Sequence, residues 1–118
     1  MIKKTIKPPN PICLNKDSSK KIFLAGSIEM GKAEDWQTSI TEFLNNADVH
    51  YTTFNPRRDE WDSSWNQEYQ NPQFYQQVNW ELNGLDKCDI IFMYLAPGTQ
   101  SPISLLELGL YADSHKMI

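Results

Sequence analysis

From residue 21 onward, short apolar runs alternate with stretches whose apolar residues recur at helical spacing. KIFLAG (21–26) is a brief apolar run closed by Gly26, which reads as a strand leaving into a loop. After SIEMG, Trp36, Ile40, Phe43 and Leu44 fall at i, i+4, i+7 and i+8, so the spacing predicts a helix over 33–46. VHYTTFNP (49–56) is rich in β-branched and aromatic residues and stops at Pro56, a second strand. The polar RRDEWDSSWNQEYQN that follows has no sustained period and reads as a long loop. From Pro72, Phe74, Val78, Leu82 and Leu85 step along one helical face until DIIFMYLAP (89–97) begins a fully apolar strand, ended by Pro97 and Gly98. Ser101 suits an N-cap and Pro102 a first helical residue for ISLLELGLYADSHK, after which Met117 and Ile118 read as the opening of another strand.

Strands alternating with helices imply a doubly wound α/β domain: a three-layer, flavodoxin-like or Rossmann-like parallel sheet joined by right-handed crossovers. Three strands are complete and a fourth is only begun, so the C-terminal strand is expected to be missing or truncated. In such sheets a ligand sits beyond the carboxyl ends of the strands, here the loops after Gly26, Pro56 and Pro97. Residues 1–20, with Pro8, Pro9, Pro11, several lysines and Ser18-Ser19, read as an extended arm ahead of a single domain over 21–118.

Composition narrows the functional classes. At 118 residues there is room for one domain with a modest core. A formal charge of -4 supplies no basic field for polymeric nucleic acid, which points to a small-molecule partner. No apolar run reaches the ~20 residues of a membrane span, and the opening residues lack an apolar leader core. The expectation is a cytoplasmic protein. Cys13 and Cys88 have no metal or redox spacing and read as free thiols, while His50 and His115 are isolated and read as surface or helix-end residues. No cofactor and no metal is expected.

Glu107 carries the most information. Ile103, Leu110 and Tyr111 lie four before, three after and four after it, on the stripe expected to face the sheet, where a carboxylate is out of place. Such a residue is a flanking glutamate, the partner of a lysine or arginine, or a functional group. Glu81, beside Val78 and Leu82 on the preceding helix, supplies a functional partner, since two carboxylates can divide the roles of nucleophile and proton donor. Asn55, Arg57, Arg58 and Asp59 follow the second strand and either form a solvated turn or line the pocket. Gly26, Ser27 and Ile28 open a loop without GxGxxG or Walker spacing, so dinucleotide or ATP binding is not implied, although its amides could hold a phosphate or hydroxyl. Trp61, Trp65 and Tyr69 could stack on a nucleobase, cover the core or line a dimer interface.

Taken together, IFLAGSIEMGKAEDW, FNPRRDEWDSSW, NWELNGLDKCDIIFMYL and SPISLLELGLYA resemble the nucleoside 2-deoxyribosyltransferase superfamily over residues 21–118, particularly its short branch. The chain is similar as well to the deoxynucleoside monophosphate N-glycosidases of that superfamily, whose first loop is likewise a GSI segment. The resemblance implies a flavodoxin-like sheet, an assembly that is at least a dimer, and cleavage or transfer of the N-glycosidic bond of a 2-deoxyribonucleoside or its monophosphate. By it Glu107 is the nucleophile, and Glu81 stands where the family usually has an aspartate that engages the base. Ser101 stands where the monophosphate hydrolases carry a phosphate-contacting serine, and independently of the resemblance the doubly wound order should bring Arg57 to the same end of the sheet, where the two could hold a 5′-phosphate. Phe23 replaces a tyrosine whose hydroxyl orients the nucleophile. The chain stops before the family's final strand, so the pocket is expected to lack its last wall. The alternative from another class is a non-catalytic nucleotide-binding or sensing module of the same fold.

Overall fold

The computed structural model describes residues 2–12, 19–26, 34–58, 70–98 and 102–118, with backbone only at 102 and 103. In chain order the elements are β1 (Lys3–Ile6), β2 (Lys20–Gly26), α1 (Trp36–Asn46), β3 (Tyr51–Phe54), α2 (Pro72–Lys87), β4 (Ile90–Tyr94) and α3 (Pro102–Tyr111). The four strands form one sheet in the order β1-β3-β2-β4, and every pairing is parallel. Met117 bridges Ile91 in parallel, so the last residues begin to pair along the outer edge of β4. The fold is the expected α/β, flavodoxin-like one.

The chain steps from β2 to β3 on one side and then to β4 on the other, and right-handed crossovers therefore put α1 on one face and α2 with α3 on the opposite face. Strand alternation shows the same division. Phe92 and Tyr94 stack against Trp36 of α1, with ring centroids 6.0 and 5.3 Å apart, while Ile91 and Met93 join the core beneath α2 and α3. That core gathers Phe23, Ala25, Phe54, Trp80, Leu85, Cys88 and Ile91.

The helices begin where local chemistry directs. Asn71 Oδ1 accepts from the amides of Gln73 and Phe74, and Pro72 follows as first residue of α2. Asp35 accepts from the Thr38 amide, so α1 starts at Trp36, three residues later than the spacing predicts. Gly26 ends β2 with φ at +137°, and a Cβ there would lie 1.9 Å from the Tyr94 carbonyl oxygen. A side chain is excluded at this crossing of β2 and β4, which is also where the winding direction reverses.

Several expectations change. The segment read as an arm supplies β1, which adds outside β3, and its Ile12 joins the core while the Asn10 carbonyl accepts from Trp80 Nε1 at 2.7 Å. Phe43, expected on the inner stripe of α1, is 72% exposed, and Gln37 is fully buried instead. Leu82 and Leu110, placed by spacing on inner stripes, face outward. Cys88 is a buried free thiol, His50 Nδ1 accepts from the Ile2 amide, and His115 follows α3 in a left-handed conformation. Among the described residues no helix is long and apolar enough to cross a membrane.

Candidate functional site

Both α2 and α3 start at the carboxyl end of the sheet and run back across the same face. At 1.5 Å per residue, Glu81 lies about 13 Å along the roughly 24 Å of α2 and Glu107 about 8 Å along the roughly 15 Å of α3, both near the middle of their helices. Between the helices is a groove of about 180 Å³ lined by Phe74, Val78, Glu81, Leu82, Leu106, Glu107 and Leu110. Two carboxylates meet in an otherwise apolar lining.

Glu107 is only 6% exposed, and its neighbour is a second acid. Burial, then the charge of Glu81, then the hydrogen bond to Glu81 push the Glu107 carboxyl up from 4.5 to about 9. Burial also raises Glu81, while hydrogen bonds from Gln77 and Glu107 oppose that rise. The two ionised forms would repel at contact distance in a water-poor groove, so the pair keeps a proton at neutral pH. A flanking, solvated glutamate or a lysine-paired one does not fit this environment.

Gln77 completes the cluster. Its Nε2 donates to Glu81 Oε2 at 3.0 Å and to the Pro56 carbonyl at 2.9 Å, joining α2 to the exit of β3. Its Oε1 is buried without a hydrogen-bond partner. The signal available in the sequence was a glutamine four residues before a glutamate on a helix.

Other expected site residues are distributed differently. Asn55 is buried and accepts from the Arg57 amide through Oδ1 at 3.0 Å. Arg57 turns to α1: Nε donates to Gln37 Oε1 at 3.2 Å, Nη2 donates to the Glu34 carbonyl at 2.8 Å, and Asp35 lies 3.5 Å away. Its guanidinium braces the start of α1 against the exit of β3. Phe23 is wholly buried, tilted against Trp80 at 6.1 Å, and its ring would touch any Cβ at Gly84. It is a core residue that presents no hydroxyl to the pair. Gly26 marks the strand crossing. Ser27, Ile28, Asp59 and Ser101, along with Trp61, Trp65, Tyr69 and Cys13, lie outside the described residues. Among the described residues no group of three or more His, Cys, Asp or Glu is arranged to hold a metal.

Leu106 and Leu110 in the groove wall are each 61% exposed, Leu82 in the same wall is exposed, and so is Leu105 on α3. Tyr111 anchors the far end of α3 by donating to Asp86 Oδ1 at 2.7 Å.

No curated protein matches the chain. The family model described as nucleoside 2-deoxyribosyltransferase like does, over residues 19–118, and with a parallel flavodoxin-like sheet carrying buried Glu107 beside half-buried Glu81 on one face, the chain belongs to that family.

Proposed function

We propose that this chain cleaves or transfers the N-glycosidic bond of a 2-deoxyribonucleoside or its monophosphate through a covalent deoxyribosyl ester on Glu107. The observation that carries the reading is the contact of Glu107 with Glu81 in an apolar groove. Burying two acids together is costly, and a protein that keeps them has a use for one as nucleophile and the other as proton carrier. Membership of the family supports the same chemistry.

Ionised Glu107 attacks C1′ from the face opposite the base, through an oxocarbenium-like transition state, while Glu81 protonates the departing base. A 2-deoxy sugar lacks the electron-withdrawing hydroxyl beside C1′, so the cation forms more readily. A second base or water then attacks the ester, giving transfer or hydrolysis. The groove, at about 180 Å³, is smaller than the roughly 300 Å³ at which ligand sites begin. It accommodates the reacting sugar, and Ser27, Ile28, Asp59 and Ser101 are assigned the rest of the nucleotide. Exposed Leu82, Leu105, Leu106 and Leu110 offer a second copy of the chain an apolar surface at the mouth of the groove, consistent with a homo-oligomer.

Glu107→Ala is expected to abolish base release while the thermal unfolding transition stays cooperative, as followed by chromatography of the free base. Undiminished turnover would overturn the assignment. Phe23, locked in the core without a hydroxyl, favours a second reading as a nucleotide-binding module. Binding of deoxynucleosides with no free base after hours of incubation would select it.

A further inference from the structure

We infer that Gln77 is a positioning residue that holds Glu81 as a hydrogen-bond acceptor, so that the single proton of the acid pair rests on Glu107 while the site is empty. The inference rests on the proposed roles of Glu107 and Glu81 and adds a third residue to them.

The orientation of the Gln77 amide follows from its neighbours. Nε2 has two hydrogens and faces two oxygens, the Pro56 carbonyl at 2.9 Å and Glu81 Oε2 at 3.0 Å. Rotating the amide by half a turn would set Oε1 against both oxygens, so only one orientation is compatible with the site. The Pro56 carbonyl can never donate, which fixes this nitrogen as donor to Glu81 as well. Gln77 is 8% exposed, and water does not substitute freely for the contact. The Glu81 and Glu107 carboxyls line one apolar groove, where burial disfavours both ionised forms and two charges would repel each other. At least one proton is therefore present. With Gln77 favouring charge on Glu81, that proton belongs to Glu107, which donates to Glu81.

The charged and titratable surroundings agree. Glu81 faces Glu107 from α2, and Tyr111 lies one turn further along α3, its hydroxyl committed to Asp86. Lys116 Nζ is engaged by the carbonyls of Leu85 and Asp86, and Cys88 is a buried thiol whose pKa is raised. None of these is a cation placed on the pair, so the local donor from Gln77 distinguishes the two acids.

One proton suffices for the first half of the reaction. It passes from Glu107 to Glu81 once substrate occupies the groove. An electron pair of the Glu107 carboxylate forms the bond to C1′ as the C1′–N bond breaks, and the departing nitrogen keeps its pair and takes the proton from Glu81. A neutral ester, a neutral base and a Glu81 carboxylate result, with the same single negative charge as before. By stabilising that carboxylate, Gln77 makes protonated Glu81 the stronger acid toward the base.

Gln77→Met keeps length and volume but removes the donor. Carboxyl-labelled glutamate in the ligand-free full chain would be titrated by NMR, with Glu81→Gln and Glu107→Gln assigning the signals. In the parent protein Glu81 should lose its proton first and Glu107 last. In Gln77→Met the two midpoints should approach by about one pH unit or more, or exchange order. Midpoints that do not move overturn the inference. Should that variant not fold, Gln77→Asn, which cannot reach Glu81, gives the same readout. In turnover, Gln77→Met should lose about tenfold to a hundredfold in kcat with a base that must be protonated, and less than about twofold with a leaving group that needs no proton. Equal losses would indicate a merely structural role and overturn it too. If the parent protein released no base from any substrate the proposed function would fail, and the titration would still decide the place of the proton.

Discussion

Replacing Glu107 by glutamine should change how stability depends on pH. The Glu107 carboxyl is raised by burial and by Glu81 from 4.5 to about 9 in the folded protein, whereas in the unfolded chain it titrates near the ordinary value. The native state therefore binds this proton more tightly than the unfolded state. Its contribution is fully present below about pH 4.5 and is lost as pH rises toward about 9. Each pH unit of displacement is worth about 1.36 kcal/mol. If Glu107 alone bears half of the rise, and the rest belongs to the pair jointly, the loss across the window is about 3 kcal/mol. For a domain of this size that corresponds to about 10 °C in melting temperature. Glutamine has the same shape, stays neutral, and can donate an N–H to Glu81 where the protonated acid donated an O–H. Thermal unfolding by circular dichroism in steps from pH 5 to pH 9 should show the parent protein losing stability relative to Glu107→Gln. The Cys88 thiol, also raised by burial, affects both proteins alike and cancels in the difference. Parallel curves for the two proteins would refute the placement of a buried, protonated Glu107.

Other substitutions test other links. Arg57→Ala should destabilise the fold by about 1–3 kcal/mol, because Gln37 and the Glu34 carbonyl lose a mostly buried charged donor. Calorimetric titration should find it weakening a deoxynucleoside and its monophosphate equally; a loss confined to the monophosphate would restore Arg57 to the phosphate site. Gly26→Ala puts a methyl group 1.9 Å from the Tyr94 carbonyl oxygen at a φ of +137°, so it should cost at least about 3 kcal/mol in chemical denaturation, and a neutral result would contradict the strand crossing. Leu106→Asp with Leu110→Asp should shift sedimentation toward the monomer while the circular dichroism spectrum is retained; an unchanged sedimentation coefficient would show that this face carries no contact between copies.

The alternation of strands and helices and the start of α2 were legible because they depend on local chemistry. Pro72 after Asn71 starts α2 whatever surrounds it, and the β-branched and aromatic run at 51–54 forms a strand in the middle of the sheet. The suspicion that Glu107 stood on a buried face was also legible, since a carboxylate among Ile103, Leu110 and Tyr111 breaks the pattern. Spacing could not tell which apolar residues would find a partner. Phe43 and Leu110 repeat at the correct interval and yet point outward, because a helical period specifies a face but not what lies opposite it.

Tertiary structure alone decided the remaining points. β1 joins the sheet only because β3 has a free edge in the right register, a long-range pairing that a proline- and lysine-rich composition does not announce. Arg57 follows the second strand as expected, but whether its guanidinium turns to a phosphate or to α1 depends on Gln37 and Glu34, some twenty residues earlier in the chain. Glu81 and Glu107 each appear in the sequence as one acid on one helix. Their coupling and the donor that Gln77 supplies arise when two helices pack on the same face of the sheet, because only in that contact do two carboxyls separated by 26 positions affect one another's charge.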